Sequence, residues 1–72
     1  MDGPGQTPLH RTGRVIGRVG DGRTGEVMLA IRGGSETFYA YPLFNGETFN
    51  IGDMVLVAEY LPPRTVLVTA AT

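Results

Sequence analysis

Residues 49–68, FNIGDMVLVAEYLPPRTVLV, decide the fold of this 72-residue chain, because they set two apolar runs on either side of a double proline. The first run places Val55 and Val57 on one face of an extended chain, and the second does the same with Val66 and Val68. Two alternating runs joined by a few turn residues predict a β-hairpin. The predicted strands are residues 54–60 and 65–69.

The double proline restricts the turn of this hairpin. Pro63 holds its own φ near −65° and forces Pro62 into an extended conformation. The turn is then either a wide bend through residues 61–64 or a type VI turn with a cis bond before Pro63. Because only about 5–6% of bonds preceding proline are cis in folded proteins, we expect the wide bend.

The N-terminal half contains three more predicted strands, which are residues 14–19, bent at Gly17, and the alternating segments 25–32 and 36–41. Gly33 and Gly34 predict a two-residue hairpin turn, since such turns need positive φ. Pro42 ends the third segment because it has no N–H for a ladder. Gly46 and Gly52 interrupt the one gap of helical size, so no long helix is expected. We predict an all-β, five-stranded, mostly antiparallel closed barrel, since closure removes exposed edges.

A chain of 72 residues forms one small domain, whose core needs nearly every apolar side chain. Residues 1–12 contain glycine and proline with little apolar content, and they predict a flexible lead-in to a barrel domain at residues 13–70. The side chains expected in the core are Val27, Leu29, Ile31, Phe38, Ala40, Ile51, Val55, Val57, Val66 and Val68.

Composition and charge exclude several classes of protein. Six arginines without a lysine give a net charge of −1, which is not the basic field that nucleic acids require. With no cysteine, the chain has neither disulfides nor a thiolate metal site, and its redox compartment stays open. Every apolar run is far shorter than the roughly 20 residues that cross a bilayer, so the chain alone is expected to be soluble.

Residues 20–25, GDGRTG, match the GxGxxG pattern of phosphate-binding loops. A dinucleotide site needs a helix after the third glycine, whereas the sequence after Gly25 alternates like a strand. A kinase loop needs catalytic segments for which this chain has no room. We predict a hairpin turn here, with a weak anion-binding nest of backbone amides as the alternative.

Residues that could carry catalysis are few and scattered. His10 falls in the lead-in and Ser35 in a turn, so no triad can be assembled. The carboxylates occur one at a time, as Asp21, Glu26, Glu36, Glu47, Asp53 and Glu59. Without lysine the chain cannot be a biotinyl or lipoyl carrier, although IGDMV resembles the strand entry of such barrels. We predict a protein that is not an enzyme, without catalytic residues, metal site or cofactor.

Four apolar or aromatic residues form the predicted partner-binding site, because the barrel cannot bury them all. Tyr39 and Tyr41 share the outward face of the third strand, and Leu43 and Phe44 follow in a connection held outside the ladder by turn residues. Exposed aromatic groups of this kind mark interfaces. The alternative for Phe44 is that it plugs an open end of the barrel.

A second function class is a module that binds single-stranded nucleic acid. It rests on Tyr39 and Tyr41 as stacking platforms, together with Arg14 and Arg18 on one face of the first strand. The negative net charge argues against it, so no nucleic-acid binding is expected.

The order of three segments resembles the C-terminal soluble domain of the NfeD family. The segments are GRVIGRV, GEVMLAIRGGSETFYAY and FNIGDMVLVAEYLPPRTVLV, between residue 13 and about residue 68. The matching positions are Gly13, Gly17, Gly25, Val27, Gly33, Gly34, Ala40, Ile51, Gly52, Val55, Val57 and Val68. Residues 61–64 depart from the family, which often has a glycine-containing turn before its last strand.

The resemblance implies an OB-fold-like barrel that works as a non-catalytic interaction module beside SPFH proteins of the stomatin and flotillin type. It further implies that the full-length protein is associated with a membrane, with this domain on the cytoplasmic face. Longer relatives add a Clp-like serine protease domain, which this chain lacks. The chain is then either an excised domain or a stand-alone relative, and its oligomeric state stays open.

Overall fold

A computed structural model describes residues 7–31 and 33–71, and its strands confirm the predicted all-β fold. The strands are β1 (Thr12–Gly17), β2 (Gly25–Ile31), β3 (Gly34–Pro42), β4 (Met54–Leu61) and β5 (Thr65–Ala70). They close into a barrel in the order β1-β2-β3-β5-β4, with β4 pairing back to β1. All neighbours are antiparallel except β3 and β5, which are parallel. Within the described residues, no helix is long and apolar enough to span a bilayer.

The core confirms the alternation of β2, β3, β4 and β5 and adds two residues from the N-terminal segment. Val15 of β1 and Val19 after it are both buried. Within the described residues, the buried apolar side chains of the barrel are Val15, Val19, Val27, Leu29, Ile31, Phe38, Ala40, Val55, Val57, Val66 and Val68, and Pro8 before β1 is buried as well.

Ile51 was predicted to lie in the core, and this prediction is wrong because the side chain is 66% exposed. The residue sits in a tight turn, in which the Asn50 N–H donates to Asp53 Oδ2 at 2.8 Å and the Asp53 N–H donates to the Asn50 carbonyl at 3.0 Å. The turn breaks the two-residue alternation before β4 begins, so the side chain at position 51 faces solvent.

The GxGxxG segment forms the predicted hairpin turn and leads into strand β2. The Arg23 N–H donates to the Gly20 carbonyl at 3.2 Å, and the two residues between them, Asp21 and Gly22, have φ of 57° and 74°. Positive φ at both central positions is the signature of a type I′ turn, which aspartate followed by glycine favours.

The turn between β2 and β3 lies one residue earlier than predicted. Ile31 pairs with Gly34, so Gly34 is already the first residue of β3 and cannot be a turn residue. Gly33, with φ of 74°, supplies the left-handed conformation that the turn needs.

The β4–β5 turn also differs from the expectation. The bond between Pro62 and Pro63 is cis, so the prediction of a trans bond in a wide bend is wrong. Leu61 pairs with Thr65, which leaves only three residues for the connection and no room for a wide bend. The Tyr60 hydroxyl donates to the Pro63 carbonyl at 3.1 Å across this turn.

Residues 1–6 of the predicted lead-in lie outside the described residues, whereas residues 7–11 run beside the barrel. The His10 N–H donates to the Val57 carbonyl, and the Val57 N–H donates to the Arg11 carbonyl, both at 2.9 Å. The Arg11 guanidinium donates through Nε to the Thr7 carbonyl at 2.8 Å and through Nη1 to the Ala30 carbonyl at 3.1 Å. Arg11 therefore joins this segment to the C-terminal end of β2.

Candidate protein-interaction site

The outward face of β3 carries the first two predicted site residues. Because side chains alternate along a strand, burying Phe38 and Ala40 turns Tyr39 and Tyr41 outward, and these are 49% and 39% exposed. A hydrogen bond of 2.9 Å between Tyr41 Oη and Thr24 Oγ1 fixes the second tyrosine ring against the start of β2. The phenol at position 41 is thus held in place on the surface.

The connection after β3 positions the other two. The Leu43 N–H donates to the Val68 carbonyl at 2.8 Å, so the backbone still follows β5 there, and the side chain is half-buried. Phe44 is 58% exposed in a turn that the Glu47 N–H closes by donating to the Phe44 carbonyl at 3.2 Å. Phe44 therefore does not plug the barrel, and that alternative is wrong.

Phe49, and not Phe44, is the aromatic residue of the β3–β4 connection that packs against the core. It is fixed to the buried Val19 by two backbone hydrogen bonds, from Val19 N–H to the Phe49 carbonyl at 3.0 Å and in the reverse direction at 2.9 Å. This isolated bridge draws the end of the β3–β4 connection onto the barrel and leaves Phe44 at the surface.

A groove of about 320 Å³ lies beside the exposed aromatic residues, between the type I′ turn and the β3–β4 connection. The ring of Tyr41 forms part of its wall, and the charged residues Asp21, Arg23 and Glu47 line it as well. A mixed-charge groove next to exposed aromatic rings suits the binding of a protein partner, because protein interfaces combine an apolar centre with a polar rim.

The two arginines of the nucleic-acid hypothesis, Arg14 and Arg18, do not form one surface with Tyr39 and Tyr41. Arg14 on β1 lies opposite Met28 of β2 and Met54 of β4, so β2 separates it from the tyrosines on β3. Arg18 pairs instead with Asp21, at 3.5 Å between Nη2 and Oδ2.

The protein-family comparison is decisive for identity. A family model described as the NfeD C-terminal domain matches residues 12–69. The chain belongs to the NfeD family. No curated protein sequence matched it.

A solved structure shares the fold of this NfeD domain. It is the soluble domain of a membrane protein implicated in regulation of membrane protease activity from Corynebacterium glutamicum. The TM-score is 0.70 at 20% identity, and the match covers 92% of this chain and 100% of that one. At this identity the likeness establishes the barrel fold alone.

Two residues that shape the candidate site were not predicted from the sequence, and the signal for each was weak. Thr24 holds Tyr41, yet it stands in a turn where threonine is ordinary. Phe49 packs against the core, yet it lies outside every alternating segment. Only its aromatic character beside a turn could have suggested burial.

Proposed function

We propose that this chain is a non-catalytic protein-interaction module of a membrane-associated NfeD-like protein, that it lies on the cytoplasmic face, and that it acts beside SPFH proteins of the stomatin and flotillin type. The observation that carries the proposal is the exposure of Tyr39, Tyr41 and Phe44 on a barrel whose other large aromatic residues are buried or packed on the core. Exposed aromatic side chains grouped this way provide anchors for a partner.

The roles of the acidic side chains support a binding module over an enzyme. Asp53 accepts a backbone N–H in its turn, and Glu47 accepts the Thr69 hydroxyl at 3.4 Å. Glu36 pairs with Arg64 at 3.1 Å, and Asp21 pairs with an arginine in the same way. Each of these four carboxylates is engaged in a structural contact.

The membrane association rests on family membership and on what the similar structure is described as. That protein is a membrane protein implicated in regulation of membrane protease activity, and its soluble domain has the same fold as this chain. A module of this kind needs no reactive groups of its own, because it acts by holding other proteins in place.

Phe44→Ser tests the proposal by removing the most exposed aromatic ring. We expect binding to a purified stomatin-type SPFH protein to weaken by about tenfold or more, since truncating an interface anchor costs about 2 kcal/mol. The melting temperature should change by less than about 3 °C, because the ring is 58% exposed. Biolayer interferometry and thermal unfolding followed by circular dichroism measure the two effects.

Ile51→Ser is the matched control, because this side chain is 66% exposed in the neighbouring turn and is not part of the aromatic group. It should leave both binding and melting temperature unchanged. Equal binding by the Phe44 variant and the wild type would remove Phe44 from the interface, and no binding by the wild type would reject the SPFH partner.

Titration with labelled single-stranded DNA and RNA tests the second function class, which is nucleic-acid binding. We expect no micromolar binding even at low salt, because the net charge is −1 and Arg18 is already paired with Asp21. Micromolar affinity that is lost both in Tyr39→Ala and at high salt would replace the interaction-module proposal with nucleic-acid binding.

A further inference from the structure

Strand β3 extends beyond its neighbour β5. The parallel pairing of these strands begins with Tyr39 opposite Thr65 and ends with Pro42 opposite Val68. Residues 34–38 pair with β2 on one side, and in the described part of the chain no strand pairs with them on the other. The β2–β3 hairpin therefore has an open edge along the first half of β3.

Backbone polar groups at this edge point outward from the sheet. The N–H groups of Tyr39 and Leu43 donate toward β5, to the carbonyls of Arg64 and Val68, each at 2.8 Å. Because N–H and C=O groups of a strand alternate in direction from residue to residue, Ser35 and Thr37 direct theirs to the same side. Among residues 7–31 and 33–71 no strand pairs with them there, so they offer a ladder that is already in extended geometry.

The two edges of the hairpin are not equivalent. On the β2 side, the Arg11 guanidinium donates to the Ala30 carbonyl and covers the edge. On the β3 side, the Arg64 side chain contacts Glu36 at 3.1 Å and lies 5.2 Å from the centre of the Phe38 ring. These contacts hold the arginine beside the strand, while Ser35 and Thr37 are exposed and have no partner strand on that side among the described residues.

A small pocket lies next to the open edge. Its volume is about 70 Å³, and it is lined by Glu26, Thr37, Phe38, Tyr39 and Arg64. Since about 10–15 Å³ of such volume holds one water molecule, the pocket has room for a side chain. Added strands gain affinity from backbone hydrogen bonds and specificity from pockets for alternate side chains, and this edge offers both.

We infer that residues 34–38 of β3 bind an extended segment of a partner protein as an added β-strand, with Tyr39 flanking it. The inference rests on the proposed interaction function and specifies how the partner docks. The segment has free N–H and C=O groups opposite Ser35 and Thr37, so it carries no proline there, and it places one side chain in the pocket beside Tyr39.

A second copy of the chain fits this edge less well. Antiparallel self-pairing that uses both Ser35 and Thr37 places Glu36 opposite Glu36 of the second copy. Each Glu36 is already paired with Arg64 at 3.1 Å, so the second copy would bring two such ion pairs, with both Arg64 side chains, to one short edge. A partner segment without a charged residue at that position avoids this crowding, which favours a different protein.

Thr37→Pro tests the inference, because proline removes the N–H that points to the open edge without removing a hydrogen bond to β2. Thr37→Ala is the control that keeps the N–H. The probes are random peptides of about ten residues displayed on phage, selected on the wild-type chain and then synthesised, and the purified SPFH protein. Ser35→Pro is the second variant should the first not fold, since Gly34 tolerates a following proline.

We expect selected peptides to bind the wild type and Thr37→Ala alike and to bind Thr37→Pro at least about tenfold more weakly. In the peptide complex, the amide hydrogens of Ser35 and Thr37 should exchange more slowly than in the free chain. This result supports the added strand even if the SPFH protein does not bind, in which case only the proposed partner is rejected. Equal binding of the selected peptides and the SPFH protein to the wild type and to both proline variants would overturn the inference and leave the interaction function standing. Self-association of the chain that is lost in Thr37→Pro would have the same two consequences.

Discussion

Gly25→Ala is expected to lower the free energy of unfolding by about 2–3 kcal/mol, because β2 begins in contact with the backbone of residues 18 and 19. A Cβ at position 25 would lie 2.6 Å from Val19 Cγ2, 2.7 Å from the Arg18 carbonyl oxygen and 2.8 Å from Val19 Cα. Two of these atoms are backbone, so a rotamer change cannot relieve the overlap. For a domain of this size the melting temperature should fall by about 10–20 °C.

Gly34→Ala is the matched control for this prediction. No atom lies within 4 Å of a Cβ built at position 34, and the backbone there has no positive φ. The substitution should change the free energy of unfolding by less than about 0.5 kcal/mol, or raise it slightly through the unfolded state. Urea denaturation followed by circular dichroism compares the two variants. Equal stability of the two would show that β2 does not approach residues 18–19 this closely.

The contact at Gly25 shows which parts of the fold the sequence could predict. Alternation within β2 to β5 identified the core because every second side chain of a half-buried strand is apolar. Val19 was not predicted because it follows the bulge in β1 at residues 15–17 and lies outside any alternating run. Its burial depends on the pairing with Phe49, which lies thirty residues later in the chain.

The predictions of a buried Ile51 and of a trans bond before Pro63 were wrong for a different reason. The alternation of β4 was extended backward across Gly52, although Asp53 accepts the Asn50 N–H and makes a turn of this segment. The prediction for the bond before Pro63 followed the high frequency of trans bonds, whereas the bond is cis. The connection has only three residues, and this length is known only from the pairing of Leu61 with Thr65. In both places a local side-chain or pairing geometry overrode the average behaviour of the residue type.

In the candidate site, too, one feature could be predicted from the sequence and another could not. Exposure of Tyr39 and Tyr41 follows from the burial of Phe38, which alternation predicts. The open edge at residues 34–38 does not follow from the sequence, since it depends on where β5 starts relative to β3. That register is set by a parallel pairing between strands that are distant in sequence, and turn chemistry does not determine it.

Phe38→Ala is expected to have the largest effect on stability, with a loss of about 3–5 kcal/mol. The ring is 4% exposed, meets Tyr60 edge to face at 6.3 Å between centroids, and lies under the Arg64 guanidinium. Truncation leaves a cavity in the barrel and removes both ring contacts at once. A loss of this size is comparable with the whole stability of a small domain, so much of the protein should be unfolded at 25 °C.

Two companion variants isolate the cause of this loss. Phe38→Leu keeps most of the apolar volume but has no ring for Tyr60 and Arg64, so it should cost about 1–2 kcal/mol. Tyr39→Ala removes an aromatic ring of similar size from the next residue, where it is 49% exposed, and should cost less than about 1 kcal/mol. Chemical unfolding and the dispersion of amide resonances in nuclear magnetic resonance spectra rank the three variants. If Phe38→Ala were no less stable than Tyr39→Ala, β3 would have to present its opposite face to the barrel, because a one-residue shift of register exchanges the two sides of a strand.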